Sequence, residues 1–165
     1  MEGKPAKDSY SELSELALPN DANGLGTLLG GKIMHLVDVA GALAAARHSR
    51  KFVVTASFDH MDFLKPVGIG ELLVLRAAVN RAFRTSMEVG VKVFAENLRT
   101  SEVRHVASAY LTFVAVDSDR NPVRVPPLIA ESDEEKRRYE QAGERRAYRL
   151  AHRGRSQGGA TQRST

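Results

Sequence analysis

Cysteine is absent from this 165-residue chain. That excludes disulfides, thiolate zinc sites and a cysteine nucleophile, and it is compatible with the cytosol. Aromatic residues are sparse: six phenylalanines, four tyrosines and no tryptophan, mostly at core-like positions. A nucleic-acid-binding module would interleave aromatic and basic residues, and this chain does not. The one long apolar stretch, Ile33 to Ala46, is too short and too interrupted to cross a bilayer. Met1 to Ser14 is polar, so no secretory leader is read there. No Gly-x-Ser-x-Gly elbow offers a serine nucleophile. The histidines, His35, His48, His60, His105 and His152, form no pair with zinc-ligand spacing. None is assigned to catalysis, and no metal is expected; His48 is expected to flank a helix end, where a cation is tolerated.

What is present is enough for one domain with a real core. The hydrophobic fraction of 42% and the charged fraction of 27% are ordinary for a soluble globular chain. The formal charge is +4 and the pI about 9.6, which raises the question of nucleic acid. The basic excess is local, however, in Lys136-Arg137-Arg138, Arg145-Arg146, Arg149, Arg153 and Arg155, behind Glu131, Asp133, Glu134 and Glu135. Acid at a helix start and base at its end complement the helix dipole. Ser132 and Glu135 have capping-box spacing, and Glu134 and Arg138 form an i,i+4 pair. The segment reads as a solvated, peripheral C-terminal helix over 131–152. Residues 153–165 read as a disordered tail, and residues 1–10 as a flexible N-terminus.

Between these ends the periodicity is that of one helix and several strands. A weak strand is read around Ser11 to Leu18, then the apolar helix, then strands from Phe52, Leu72, Met87 and Val103. Met87, Val89, Val91, Val93 and Ala95 alternate with Ser86, Glu88, Gly90, Lys92 and Glu96, a pattern buried on one face only. A helix apolar on nearly all sides must be wrapped by the sheet.

Four places carry chemistry. Asp38 is a lone carboxylate in the apolar helix, where desolvation demands a partner and where functional carboxylates are often found. A structural carboxylate bonded to a neighbouring strand is an equal reading of the residues alone. Gly30-Gly31 opens the helix and leaves free N–H groups at its positive end, a ready oxyanion site. Asn23 stands in Asp-Ala-Asn-Gly, a turn sequence. The turn Arg81, Arg84, Thr85, Ser86 offers charge and hydroxyls that suit a phosphorylated ligand, although an exposed basic hairpin would look similar. Ser57, Asp59 and Asp62 read as structural or subunit-contact residues.

Taken in order, the pieces Asn23-x-x-Gly26-Thr27-Leu28-x-Gly30-Gly31-Lys32-x-Met34, Asp38-x-Ala40, Val54-Thr55-Ala56-Ser57-x-Asp59-x-Met61-x-Phe63-x-x-Pro66, Arg81-Ala82-Phe83-Arg84-Thr85-Ser86-Met87-Glu88-Val89 and Val123-x-Val125-Pro126-Pro127-Leu128 resemble the hotdog-fold acyl-CoA thioesterases, in the single-hotdog acyl-CoA hydrolase branch. The resemblance implies an α+β hotdog fold over 11–130, an antiparallel sheet around a long central helix. It implies hydrolysis of fatty acyl-CoA to fatty acid and coenzyme A, in the cytoplasm. Asp38 would be general base or nucleophile, and Gly31 N–H would polarise the thioester carbonyl. Asn23, with Thr27 beside it, would orient water or substrate. Coenzyme A would lie near Arg81, Arg84, Thr85 and Ser86, and no further cofactor is implied. A homodimer at minimum is expected, with trimers of dimers common and neither nucleic acid nor membrane as partner. A non-catalytic acyl-CoA sensor and a hotdog hydratase or dehydratase are the rival readings.

Overall fold

The computed structural model describes residues 1–153. Its main sheet has five antiparallel strands: β2 (Ser11–Leu16), β3 (Phe52–Phe63), β4 (Leu72–Ala82), β5 (Ser86–Glu96) and β6 (Val103–Val116), in the order β2-β4-β5-β6-β3. Helix α1 (Gly30–Ser49) lies on one face and helix α2 (Asp133–His152) on the other. Two short strands, β1 (Lys4–Pro5) and β7 (Leu128–Ile129), pair in parallel beside the main sheet. Arg153 ends the described chain in a turn; the rest of the expected tail lies outside the described residues.

The period-two pattern fixes the inner face. Leu73, Leu75, Ala77 and Val79 of β4, Met87 to Ala95 of β5 at alternate positions, and Ala107, Leu111 and Phe113 of β6 are all buried. Against them α1 packs Ile33, Leu36, Val37, Ala40, Gly41, Ala44 and Ala45. These recur at three- and four-residue intervals, one stripe of a 3.6-residue helix. Gly41 sets the distance of approach: a Cβ there would lie 2.9 Å from the Phe113 ring.

The sheet covers one side of α1. Met34, Val39 and Leu43 stay 39%, 37% and 41% exposed on the far side of α1. Among the described residues β3 ends the sheet with no partner on its outer edge, and Phe52, Val54 and Phe63 of this strand are exposed too. Five strands suffice to cover one helix face, and the other face and the free edge form one apolar border.

Two expectations are corrected. The first ten residues are docked rather than loose: Ala6 and Ser9 are buried, Lys4 N–H donates to the Pro127 carbonyl at 2.9 Å, and Ser9 Oγ accepts from Val79 N–H at 2.9 Å. And α2, although built on the expected capping box and Glu134–Arg138 pair at 2.7 Å, is not simply solvated. Ala142 is fully buried, and Arg145, Arg146 and Arg149 on the same face reach the sheet. The alternation on β5 therefore fails at Glu88, which has 0% exposure on what was expected to be the wet face. Among the described residues no helix is long and apolar enough to cross a membrane.

His48 lies in the last turn of α1, as expected, but as a fully buried side chain whose Nε2 lies 2.7 Å from the Pro126 carbonyl. Its Nδ1 is buried without a hydrogen-bond partner among the described residues. Burial pushes the imidazole below its ordinary value of 6.5, against the Pro126 hydrogen bond; Lys4 adds to the lowering and Asp8 opposes it. An unfolded chain therefore takes up a proton near pH 6.5 that the folded one refuses, so this group's contribution to stability is whole above 6.5 and shrinks as pH falls. His48→Gln keeps a nitrogen donor for Pro126 and does not titrate. The melting temperature of the variant should fall less than that of the wild type between pH 7.5 and 5.5; equal falls would clear His48 of this role.

Candidate functional site

α1 starts without a side-chain cap, because Leu29 at the N-cap has no acceptor. By helix geometry the N–H groups of Gly30 and Gly31 have no intrahelical partner. Two turns on, Asp38 lies half-buried at the border of the stripe that meets the sheet. Its partner is Thr55 of the edge strand, whose Oγ1 donates to Asp38 Oδ1 at 2.6 Å. Thr55 pairs with Phe113 in the ladder, so its hydroxyl stands on the helix side of the sheet. One carboxylate oxygen is thus held by a short charge-assisted bond.

The segment before the helix is built by its own residues. Asn23 Oδ1 accepts from Leu25 N–H at 2.9 Å and Thr27 N–H at 3.1 Å, and its Nδ2 donates to Thr27 Oγ1 at 2.8 Å. Asn23 N–H donates to the Thr27 carbonyl at 2.7 Å. Gly26 closes the turn with φ of +79°, which an L side chain would strain. Lys32 reaches Glu15 at 3.3 Å and Asp21 at 3.7 Å and ties the loop to β2. Asn23 and Thr27 are brought together, and Gly31 lies on the same helix as Asp38. Among the described residues no hydrogen bond joins Asp38 to Asn23, Thr27 or Gly31.

The β4–β5 turn divides the expected anion-binding residues. Arg84 is exposed, and among the described residues its side chain makes no ion pair or hydrogen bond. Its carbonyl accepts from Val125 N–H at 3.0 Å, which brings the exposed Arg124 to the same turn. Thr85 is half-buried, and its carbonyl accepts from Ala115 N–H at 2.9 Å. Ser86 Oγ is 3.3 Å from Arg146 Nη1. Arg146 also lies over the Phe83 ring at 4.3 Å. Arg81 is taken up elsewhere: its guanidinium stacks on Tyr139 at 4.0 Å and donates to the Tyr139 carbonyl at 3.3 Å.

Behind this turn lies a buried ionic cluster. Arg145 grips both oxygens of Glu88, Nε to Oε2 at 3.0 Å and Nη2 to Oε1 at 2.7 Å. Asn80 Nδ2 donates to Glu88 Oε1 at 3.0 Å. Asp59 accepts from Ser57 Oγ and Thr112 Oγ1, each at 2.6 Å, and lies 3.7 Å from Arg149. Asp59 and Ser57 are thus tied into this cluster. Among the described residues no cluster of His, Asp and Glu is placed to hold a metal.

Sequence reasoning missed Thr55, Arg146 and Arg124. Thr55 left a usable signal, a lone hydroxyl in a strand face otherwise lined by Val53, Phe58 and Met61. Arg146 and Arg124 reach the turn only through long-range packing.

A model of the thioesterase superfamily matches residues 25–102. The chain is 43% identical over 129 residues to the uncharacterized acyl-CoA thioester hydrolase YkhA of Bacillus subtilis, covering 78% of this chain and 75% of that one. It spans about a quarter of the length of mouse and rat relatives that it also matches. Among solved structures it is similar to an apo-hexameric acyl-CoA thioesterase, with a TM-score of 0.89 at 38% identity over 99% of this chain and 100% of that one. It is similar also to an acyl-CoA hydrolase from Staphylococcus aureus in complex with butyryl coenzyme A, coenzyme A and coenzyme A disulfide, with a TM-score of 0.86 at 36% identity over 94% of both chains. That hydrolase has further been solved with an asparagine, an aspartate and a threonine each changed to alanine; the asparagine lies 15 residues before the aspartate and the threonine 17 after it.

The loop geometry yields its own test. Asn23→Ala removes three hydrogen bonds from a partly exposed turn and should lower stability by about 1–2 kcal/mol, with faster amide exchange at Leu25 and Thr27. Unchanged melting and exchange would show that the amide does not hold the turn.

Proposed function

This chain belongs to the thioesterase superfamily, in its hotdog-fold acyl-CoA hydrolase branch, and from that premise we propose that it hydrolyses fatty acyl-CoA to fatty acid and free coenzyme A. The observation that carries the reading is the Thr55–Asp38 hydrogen bond at 2.6 Å. Asn23, Asp38 and Thr55 also stand at the same sequence intervals as the three residues changed in the Staphylococcus aureus hydrolase.

Thr55 holds Oδ1 and leaves Oδ2 to work. Asp38 takes a proton from water, the water oxygen adds to the thioester carbonyl, and the carbon–sulfur bond breaks as the thiolate leaves and is protonated. Gly31 N–H polarises the carbonyl oxygen. Asn23 and Thr27 shape the loop that presents substrate. Arg84, Thr85 and Ser86, with Arg146 and Arg124, receive the phosphates of coenzyme A. Coenzyme A enters as part of the substrate, with no resident cofactor, and the reaction is placed in the cytoplasm.

The site is shared between two copies. The exposed apolar border on α1 and the free edge of β3 call for a cover, and a second copy brings its Asn23–Gly31 loop to the first copy's Asp38. Further assembly to a trimer of dimers is supported by the hexameric relative. Sedimentation should find a dimer or larger at micromolar concentration; a fully active monomer would end the shared-site reading.

Asp38→Asn is nearly isosteric but cannot accept the proton, so kcat for a medium- or long-chain acyl-CoA should fall by about 10²–10⁴-fold with fold and coenzyme A binding retained. Thiol release with chelator present is the assay. A drop in melting temperature with near wild-type turnover would make Asp38 structural, and tight binding without any thiol release from the wild type would make the protein a sensor.

A further inference from the structure

The ionic cluster under α2 is costly to build and does more than hold a helix. A buried ion pair often attaches a helix no better than apolar residues of the same volume, and what it can add is a fixed geometry. Glu88 is completely enclosed. Both of its oxygens are taken by the Arg145 fork, Asn80 holds one of them from β4, and Arg149 stands 3.9 Å from the other. Arg145 is further fixed by lying 3.8 Å over the Tyr110 ring. Together these contacts hold α2 at its observed position along β5.

That position decides where the next side chain goes. Ser86 and Glu88 project from the same face of β5, two residues apart, and Arg146 and Arg145 meet them from the same face of α2. Sliding α2 by one residue moves it about 1.5 Å, enough to take Arg146 Nη1 off Ser86 Oγ, where the distance is already 3.3 Å. We infer that Glu88 is a positioning residue for the phosphate site: through Arg145 it sets the register of α2 and so places Arg146 at the Arg84–Ser86 turn. This rests on the reading of that turn as the coenzyme A phosphate site.

The test compares two substrates that differ only in the part this site would hold. An acyl-CoA carries the nucleotide and its phosphates; the corresponding S-acyl-pantetheine has neither. Glu88→Gln keeps the shape and removes the charge that orients the Arg145 fork. The arginines left behind are partly exposed and reach water, so this change is milder than stranding the buried carboxylate. KM for the acyl-CoA should rise by about threefold or more, a part of what outright loss of a phosphate contact costs, with kcat unchanged and kcat/KM for the pantetheine thioester unchanged. Arg145→Lys, which keeps the charge and loses the fork, should show the same split and serves if Glu88→Gln does not fold. Arg84→Ala and Arg146→Ala test the turn itself, since both should weaken acyl-CoA alone.

An unchanged KM for acyl-CoA, or an equal loss with both substrates, would overturn the positioning role and leave Glu88 as support for the fold. Calorimetric binding of coenzyme A against pantetheine reads the same difference without turnover. An inactive wild type would therefore sink the hydrolase reading and still leave this inference decided. If Arg84→Ala and Arg146→Ala leave coenzyme A binding intact, the phosphate site is elsewhere and the positioning role falls with it.

Discussion

Helix α1 approaches the sheet as closely as it does because residue 41 has no side chain. The Phe113 ring fills the space that a Cβ would need, and both residues are buried. An added methyl group here would force the ring or the helix to move, typically at about 1–3 kcal/mol. The contact sets distance and also rotation. With Gly41, Ala44 and Ala45 turned to the sheet, the intervals of the helix carry Asp38 to the border of the packed stripe. There it meets Thr55, the one hydroxyl that the edge strand offers on that side. The candidate site is thus a consequence of how a helix is set down on a sheet.

The opposite face of the sheet follows a different logic. The inner face is packed by apolar volume, while the outer face is tied to α2 by charge: Glu88 to Arg145, Asp59 to Arg149, and the Arg81 stack on Tyr139. Removing the arginine from a buried pair typically costs about 3–5 kcal/mol, because the carboxylate is left without a partner. Apolar packing tolerates small shifts, and a forked ion pair does not. The two faces therefore divide the work: one encloses volume and the other holds a helix in register.

How much of this was legible in the sequence follows the same division. The strands from β3 to β6 and α1 announce themselves by local period, and the α2 cap by Ser132 and Glu135. The family resemblance singles out Asp38 and the Arg84–Ser86 turn as candidates. Glu88 was misread because alternation along one strand describes only that strand, and a helix arriving from 57 residues downstream covered its wet face. His48 looked like a helix-end cation because the Pro126 carbonyl that buries it is remote in sequence. The polar N-terminus looked loose for the same reason, since its partners are Pro127 and Val79. Thr55 was present in the quoted motif but gained a role only when the fold placed α1 beside β3.

The depth of Glu88 has a consequence for how the protein responds to its medium. Dissolved salt weakens interactions between charges that face water, over a Debye length of about 8 Å at physiological ionic strength, and acts far less on charges enclosed by protein. The exposed guanidinium of Arg84 belongs to the first kind and the Glu88–Arg145 pair to the second. On the proposed reading of the Arg84–Ser86 turn, a rise in ionic strength would thus loosen the grip on an anionic ligand while α2 stays in place. The chain separates an electrostatic contact that its surroundings can tune from one that they cannot reach.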